Sequence, residues 1–120
     1  MKNNTLITYE DLRKLEIGQS IDISLLNFKN DDKDNITITK IKSNSYSQNF
    51  RVKMKKNSKW NTHFHDCKEN IIMYEGKLFD EVNNKQIDRL RPLEIDPFVN
   101  HSLLAKEDSV FYIEFKKTKK

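Results

Sequence analysis

Cysteine occurs once in these 120 residues, at Cys67, so an internal disulfide framework is excluded and the expected compartment is the cytoplasm. Long apolar runs are missing as well. Nothing approaches the ~18 consecutive apolar residues of a membrane span. The opening Met1-Lys2-Asn3-Asn4-Thr5 has no apolar stretch, so no secretory signal is expected there. Arginine is sparse, with 4 against 18 lysines, and the basic residues are not interleaved with aromatics as nucleic-acid binding requires. The densest run, Lys116-Lys117-Thr118-Lys119-Lys120, reads as a solvated tail. Neither nucleic acid nor membrane is therefore expected as a partner. Glycine is reduced to Gly18 and Gly76, each read as the break after an element.

What remains is a soluble globular composition, 33% charged and 36% apolar. The length suits one domain with one core, and no internal repeat or linker composition divides it. We expect a single domain over 1–120, with an N-terminal segment (1–18) and a β-rich body (20–116). In the segment, Thr8-Tyr9-Glu10-Asp11 resembles a capping box flanked by Ile7 and Leu12, which predicts a short helix ending before Gly18.

From Ser20 onward the pattern is β. Ile21, Ile23 and Leu25 alternate with polar residues, as do Ile36 and Ile38. Phe50, Val52 and Met54 alternate with Arg51, Lys53 and Lys55. Further short strands are expected at 59–65, 69–74, 77–82, 87–90, 93–95, 101–105 and 110–115. About nine or ten short strands at regular spacing describe an all-β sandwich or barrel.

Three histidines are present and none is surplus to one pattern. His63 and His65 form an H-x-H pair whose side chains share a face if the strand is regular, Glu69 follows after a short turn, and His101 comes after the turn at Pro97. Three imidazoles and a carboxylate make an N₃O donor set that suits a first-row divalent metal and leaves positions open. Asn61 shares the parity of the histidines, and Val52, Met54 and Met73 are expected to line a mostly apolar pocket beside them. No inward lysine or arginine is evident, which disfavours a phosphate-bearing or dicarboxylate substrate. Cys67 is read as a small turn residue at the rim.

The run His63-Phe64-His65-Asp66-Cys67-Lys68-Glu69, six residues and then Gly76 resembles the first motif of the cupins, H-x-H-x3-E-x6-G. Asn57 stands at that motif's leading glycine, and asparagine tolerates left-handed backbone angles. The second motif, G-x5-P-x-G-x2-H-x3-N, is matched at Pro97. Arg91, Val99 and Ala105 replace its glycines and asparagine, and His101 stands one residue closer to the proline. The resemblance implies a double-stranded β-helix (a jelly-roll barrel). It also implies that His63, His65, Glu69 and His101 bind a divalent transition metal ion, Fe, Mn, Ni, Cu or Zn. The expected function is a metal-dependent enzyme of dioxygenase, isomerase or lyase type acting on a small organic molecule. The alternative is a non-catalytic metal- or ligand-binding sensor of the same fold. A homodimer is expected, formed through the strand face carrying Phe111, Ile113 and Phe115 or through the opposite one.

Overall fold

The computed structural model describes residues 12–22, 36–63 and 67–116, with the backbone alone at 22 and at 61–63. The alternation read from the sequence becomes ten strands: β1 (Ser20–Asp22), β2 (Ile36–Ser43), β3 (Ser47–Met54), β4 (Lys59–His63), β5 (Lys68–Glu75), β6 (Leu78–Asp80), β7 (Lys85–Ile87), β8 (Leu93–Ile95), β9 (His101–Ala105) and β10 (Ser109–Lys116). Every pairing is antiparallel. Six strands form one sheet in the order β1-β2-β3-β10-β5-β8, and four form a second in the order β4-β9-β6-β7. Sequence neighbours β3 and β4 lie in different sheets, as do β5 and β6, so the chain crosses repeatedly from one sheet to the other. The result is the jelly-roll architecture expected of the chain.

Alternation puts one face of each long strand in the core. Phe50, Val52 and Met54 on β3, Ile71 and Met73 on β5, and Phe111, Ile113 and Phe115 on β10 are all buried. Register then lines them up across the sheet. Val52, Phe111 and Met73 form one row, and Phe50, Ile113 and Ile71 form the next. From the second sheet Trp60, Leu78, Ile87, Leu103 and Ala105 join the same cluster. Burying each such side chain stabilises the fold by roughly 1.5–3 kcal/mol. Phe111, Ile113 and Phe115 are thus core, and the outer face of this sheet exposes Ile72, Tyr74 and Tyr112 instead.

Left-handed backbone appears where tight turns need it. Asn57 (φ 74°) serves the turn between β3 and β4, as its place in the motif led us to expect, and Asn84 (φ 56°) serves the β6–β7 hairpin. Gly76 (φ 95°) ends β5, and an added Cβ there would lie 2.6 Å from both the Asp108 carbonyl oxygen and Ser109 Cα. Only glycine fits that crossing.

The short N-terminal helix is not among the described elements. Its cap at Thr8–Asp11 lies outside the described residues, while residues 12 and 13 keep helical geometry and Leu15 N bonds to Leu12 O (3.1 Å). Leu12 and Leu15 are buried in the core. Of the alternating stretch that begins at Ser20 and carries Ile21, Ile23 and Leu25, only Ser20–Asp22 falls within the described residues.

Candidate metal centre

Glu69 and His101 come from opposite sheets and meet in the interior. On β5, Glu69 shares the inward parity of Ile71 and Met73, and its row partners are the buried Phe115 and Ile95. On β9, His101 is the first strand residue, beside the buried Leu103 and Ala105. The two residues are 1% and 0% exposed, and Glu69 Oε1 lies 3.0 Å from His101 Nε2.

The other imidazole nitrogen is held from behind, with His101 Nδ1 3.1 Å from the Val99 carbonyl oxygen. A carbonyl only accepts, so Nδ1 carries the proton and Nε2 is the nitrogen turned toward Glu69. Burial by itself pushes His101 toward its neutral form. The Glu69 hydrogen bond and charge, the Val99 carbonyl and the charge of Asp80 outweigh it, so the pKa is raised above 6.5.

The turn that delivers His101 is strained. Val99 N bonds to Asp96 O (3.3 Å), closing a turn with Pro97 second and Phe98 third. Phe98 has φ 66°, the left-handed value that a type II turn demands at its third position and that glycine ordinarily fills. The motif places its glycine two residues after the proline. With one residue fewer before His101, the left-handed position falls on Phe98, one residue after it.

His63 sits opposite His101 in the β4–β9 ladder, after a register shift between Trp60 and His63. Three residues on β4 there span two on β9, the count of a β-bulge, so the regular alternation used to group Asn61 with the histidines does not hold across this stretch. The side chains of Asn61 and His63, and all of His65, lie outside what is described. Among the described residues no group of three or more His, Cys, Asp or Glu side chains converges to hold a metal.

The remaining expected residues are placed as follows. Val52, Met54 and Met73 are packed into the core. One cleft of about 320 Å³ includes Met54 with Thr37, Lys53 and Glu75, and another of about 190 Å³ is lined by Asp80, Asn83, Asp96 and Val99 among others. Neither is lined by Glu69 or His101. Cys67 is buried in the core cluster with the inward parity of Glu69, rather than standing at a rim, and it joins no ligand group with Glu69 and His101.

An inward lysine does exist. Lys40 is 3% exposed, its ammonium donates to the carbonyls of Arg13 and Leu15 (2.8 Å each), and it stands 5.8 Å from the Phe50 ring centroid. Burial, with the nearby Arg13 charge, lowers its pKa. It straps the N-terminal segment to the barrel. The signal was present in the sequence: Lys40 continues the parity of Ile36 and Ile38.

Among solved structures, the chain is similar to an RmlC-like cupin from Shewanella frigidimarina NCIMB 400, with TM-score 0.65 and 13% identity over 75% of this chain and 83% of that one. It is similar to KdgF from Halomonas sp., with TM-score 0.62 and 16% identity over 70% and 80% of the two chains. It is also similar to an acetylacetone dioxygenase from Acinetobacter johnsonii, with TM-score 0.61 and 16% identity over 68% and 59%. No family model matches the sequence, and no curated protein matches it. The fold of this chain is the cupin fold. At such identities the likeness speaks for architecture, and function has to be argued from the residues.

The donor chemistry suits a metal. A carboxylate oxygen and an imidazole nitrogen are both donors that first-row divalent ions accept, and Glu69 Oε1 and His101 Nε2 face one another at 3.0 Å. A backbone carbonyl holding the far nitrogen of the ring is also the arrangement that orients metal-binding histidines.

Proposed function

We propose that this chain is a small metal-binding cupin in which His63, His65, Glu69 and His101 hold one divalent transition metal ion. The observation that carries the reading is the buried Glu69–His101 pair, one ligand-type side chain from each sheet, with His63 in register opposite His101. A bound ion would act as a Lewis acid, polarising an oxygen of a ligand or a water at its open positions. The chain's own residues would fix the geometry. Glu69 supplies the anionic donor, and the Val99 carbonyl holds His101 with Nε2 available. The buried surroundings keep bulk water from the pair.

The reaction class we favour is a metal-dependent dioxygenase, isomerase or lyase working on a small organic molecule, the acetylacetone dioxygenase being one solved protein of similar fold. A specific observation supports a second reading, a metal- or ligand-binding module without turnover. Val52, Met54 and Met73 are packed core residues, and neither described cleft reaches Glu69 or His101. A homodimer belongs to the same proposal, favoured by the exposed Ile72, Tyr74 and Tyr112 on the outer face of the six-stranded sheet. A cytoplasmic location also remains part of it. No helix among the described residues is long and apolar enough to cross a membrane.

Elemental analysis after purification without chelator tests the metal, with about one ion per chain expected and loss in His63→Ala and His65→Ala. A metal-free wild-type protein that folds and still binds a small ligand contradicts it. Turnover across a substrate panel, abolished in Glu69→Gln, separates the enzyme from the sensor.

A further inference from the structure

On its β6 side, β9 runs out of backbone ladder before it reaches His101, while on its other side β4 still pairs with it at His63. β6 pairs with β9 at Leu78↔Ala105 and Phe79↔Leu104, and the pairing ends there. Beyond that point side chains take over. Asp80, fully buried, accepts the Ser102 N–H at Oδ1 (3.2 Å), and the same oxygen accepts the N–H groups of Val82 (3.0 Å) and Asn83 (3.2 Å). Its Oδ2 takes one hydrogen of the Asn83 amide (Nδ2, 2.7 Å). That amide gives its second hydrogen to the Asn100 carbonyl (3.0 Å). The residues on both sides of His101 are thus gripped by one carboxylate–amide unit from the β6–β7 turn.

We infer that Asp80 and Asn83 are positioning residues for His101, replacing the rungs that β6 does not supply to the residues flanking it. Resting on the reading of His101 as a metal ligand, the inference adds what fixes that ligand in this chain. The turn before His101 is one residue short and strained at Phe98, and strand termini are where backbone pairing opens most readily. Holding Asn100 O and Ser102 N satisfies two backbone groups that would otherwise need other partners. It also fixes the backbone between them, so that the ring sits with Nδ1 at the Val99 carbonyl and Nε2 at Glu69. Neither Asp80 nor Asn83 needs to touch the ring to do this.

Two variants test the unit on the full chain, with Co²⁺ added to chelator-treated protein as the probe. Asn83→Ala removes both amide bonds from an exposed turn residue. Asp80→Asn keeps the volume but sets two NH₂ groups against each other, and an Asn83 amide that flips to relieve this can no longer donate to Asn100. Each is expected to weaken Co²⁺ binding by about tenfold, and neither to weaken it further in a His101→Ala background. Unchanged affinity, or an equal loss with and without His101, overturns the inference. The ring ¹⁵N resonances of His101 in metal-free protein give a second readout, expected to shift in Asn83→Ala, and identical spectra overturn it. Should wild-type protein bind no Co²⁺, the metal reading fails and those ring spectra alone decide the positioning role.

Discussion

Glu69 reaches the interior by alternation alone, on an eight-residue strand paired on both sides, in step with Ile71 and Met73. His101 reaches the same spot from a five-residue strand through irregularities: a register shift opposite it on β4, a left-handed phenylalanine before it, and side chains doing the work of a ladder around it. One ligand-type residue is placed by periodicity, and the other by turn chemistry and particular hydrogen bonds. A regular strand tolerates many sequences of the right pattern. An irregular one depends on individual residues, so the two halves should respond differently to substitution.

Phe111→Ala, between Val52 and Met73 in the six-stranded sheet and next to the register shift at Val110, should cost about 3–5 kcal/mol by leaving a cavity, measured by urea denaturation. A loss under 1 kcal/mol would mean the core is not organised as the register indicates. Gly76→Ala should cost at least about 2 kcal/mol, since it combines a left-handed residue with a collision against Asp108 and Ser109. In the irregular half the sign reverses. Phe98→Gly should raise stability by about 0.5–1 kcal/mol by relieving the turn, and a decrease would show that the Phe98 side chain contributes more than its backbone costs.

The smallest effect is a pH dependence. The folded-state pKa of His101 is raised above 6.5, so its pairing with Glu69 stabilises the metal-free fold fully below about pH 6.5. That contribution is lost as pH rises through the raised value. Denaturation midpoints between about pH 5.5 and 8.5 should show this decline in the wild type, and Glu69→Gln should flatten it. An equal slope in both proteins would separate the titration from this pair.

The same contrast explains what the sequence made legible. Phe50, Val52 and Met54 announced β3 by period-two alternation, and Gly76 and Asn57 announced the turns where left-handed backbone was needed. Glu69 was legible because spacing and parity agree along the regular part of β5, clear of the register shift near Tyr74. The bulge on β4 was not, because an extra residue in a strand leaves no mark in the pattern of residue types. Asp80 and Asn83 read as ordinary turn residues, since a side chain that bonds its own turn and one that also grips a neighbouring strand look alike in sequence. Lys40 was not legible from residue type, because a lysine ordinarily faces solvent, although its parity with Ile36 and Ile38 turns it inward.

The central claim is that Glu69 and His101 are two ligands of one metal ion. A Co²⁺ titration of chelator-treated wild type, Glu69→Gln and His101→Ala, each confirmed as folded, tests it most directly. We expect one ion per wild-type chain and affinity reduced by at least tenfold in each variant. Wild-type protein that binds no ion, or variants that bind as tightly as it does, would contradict the account.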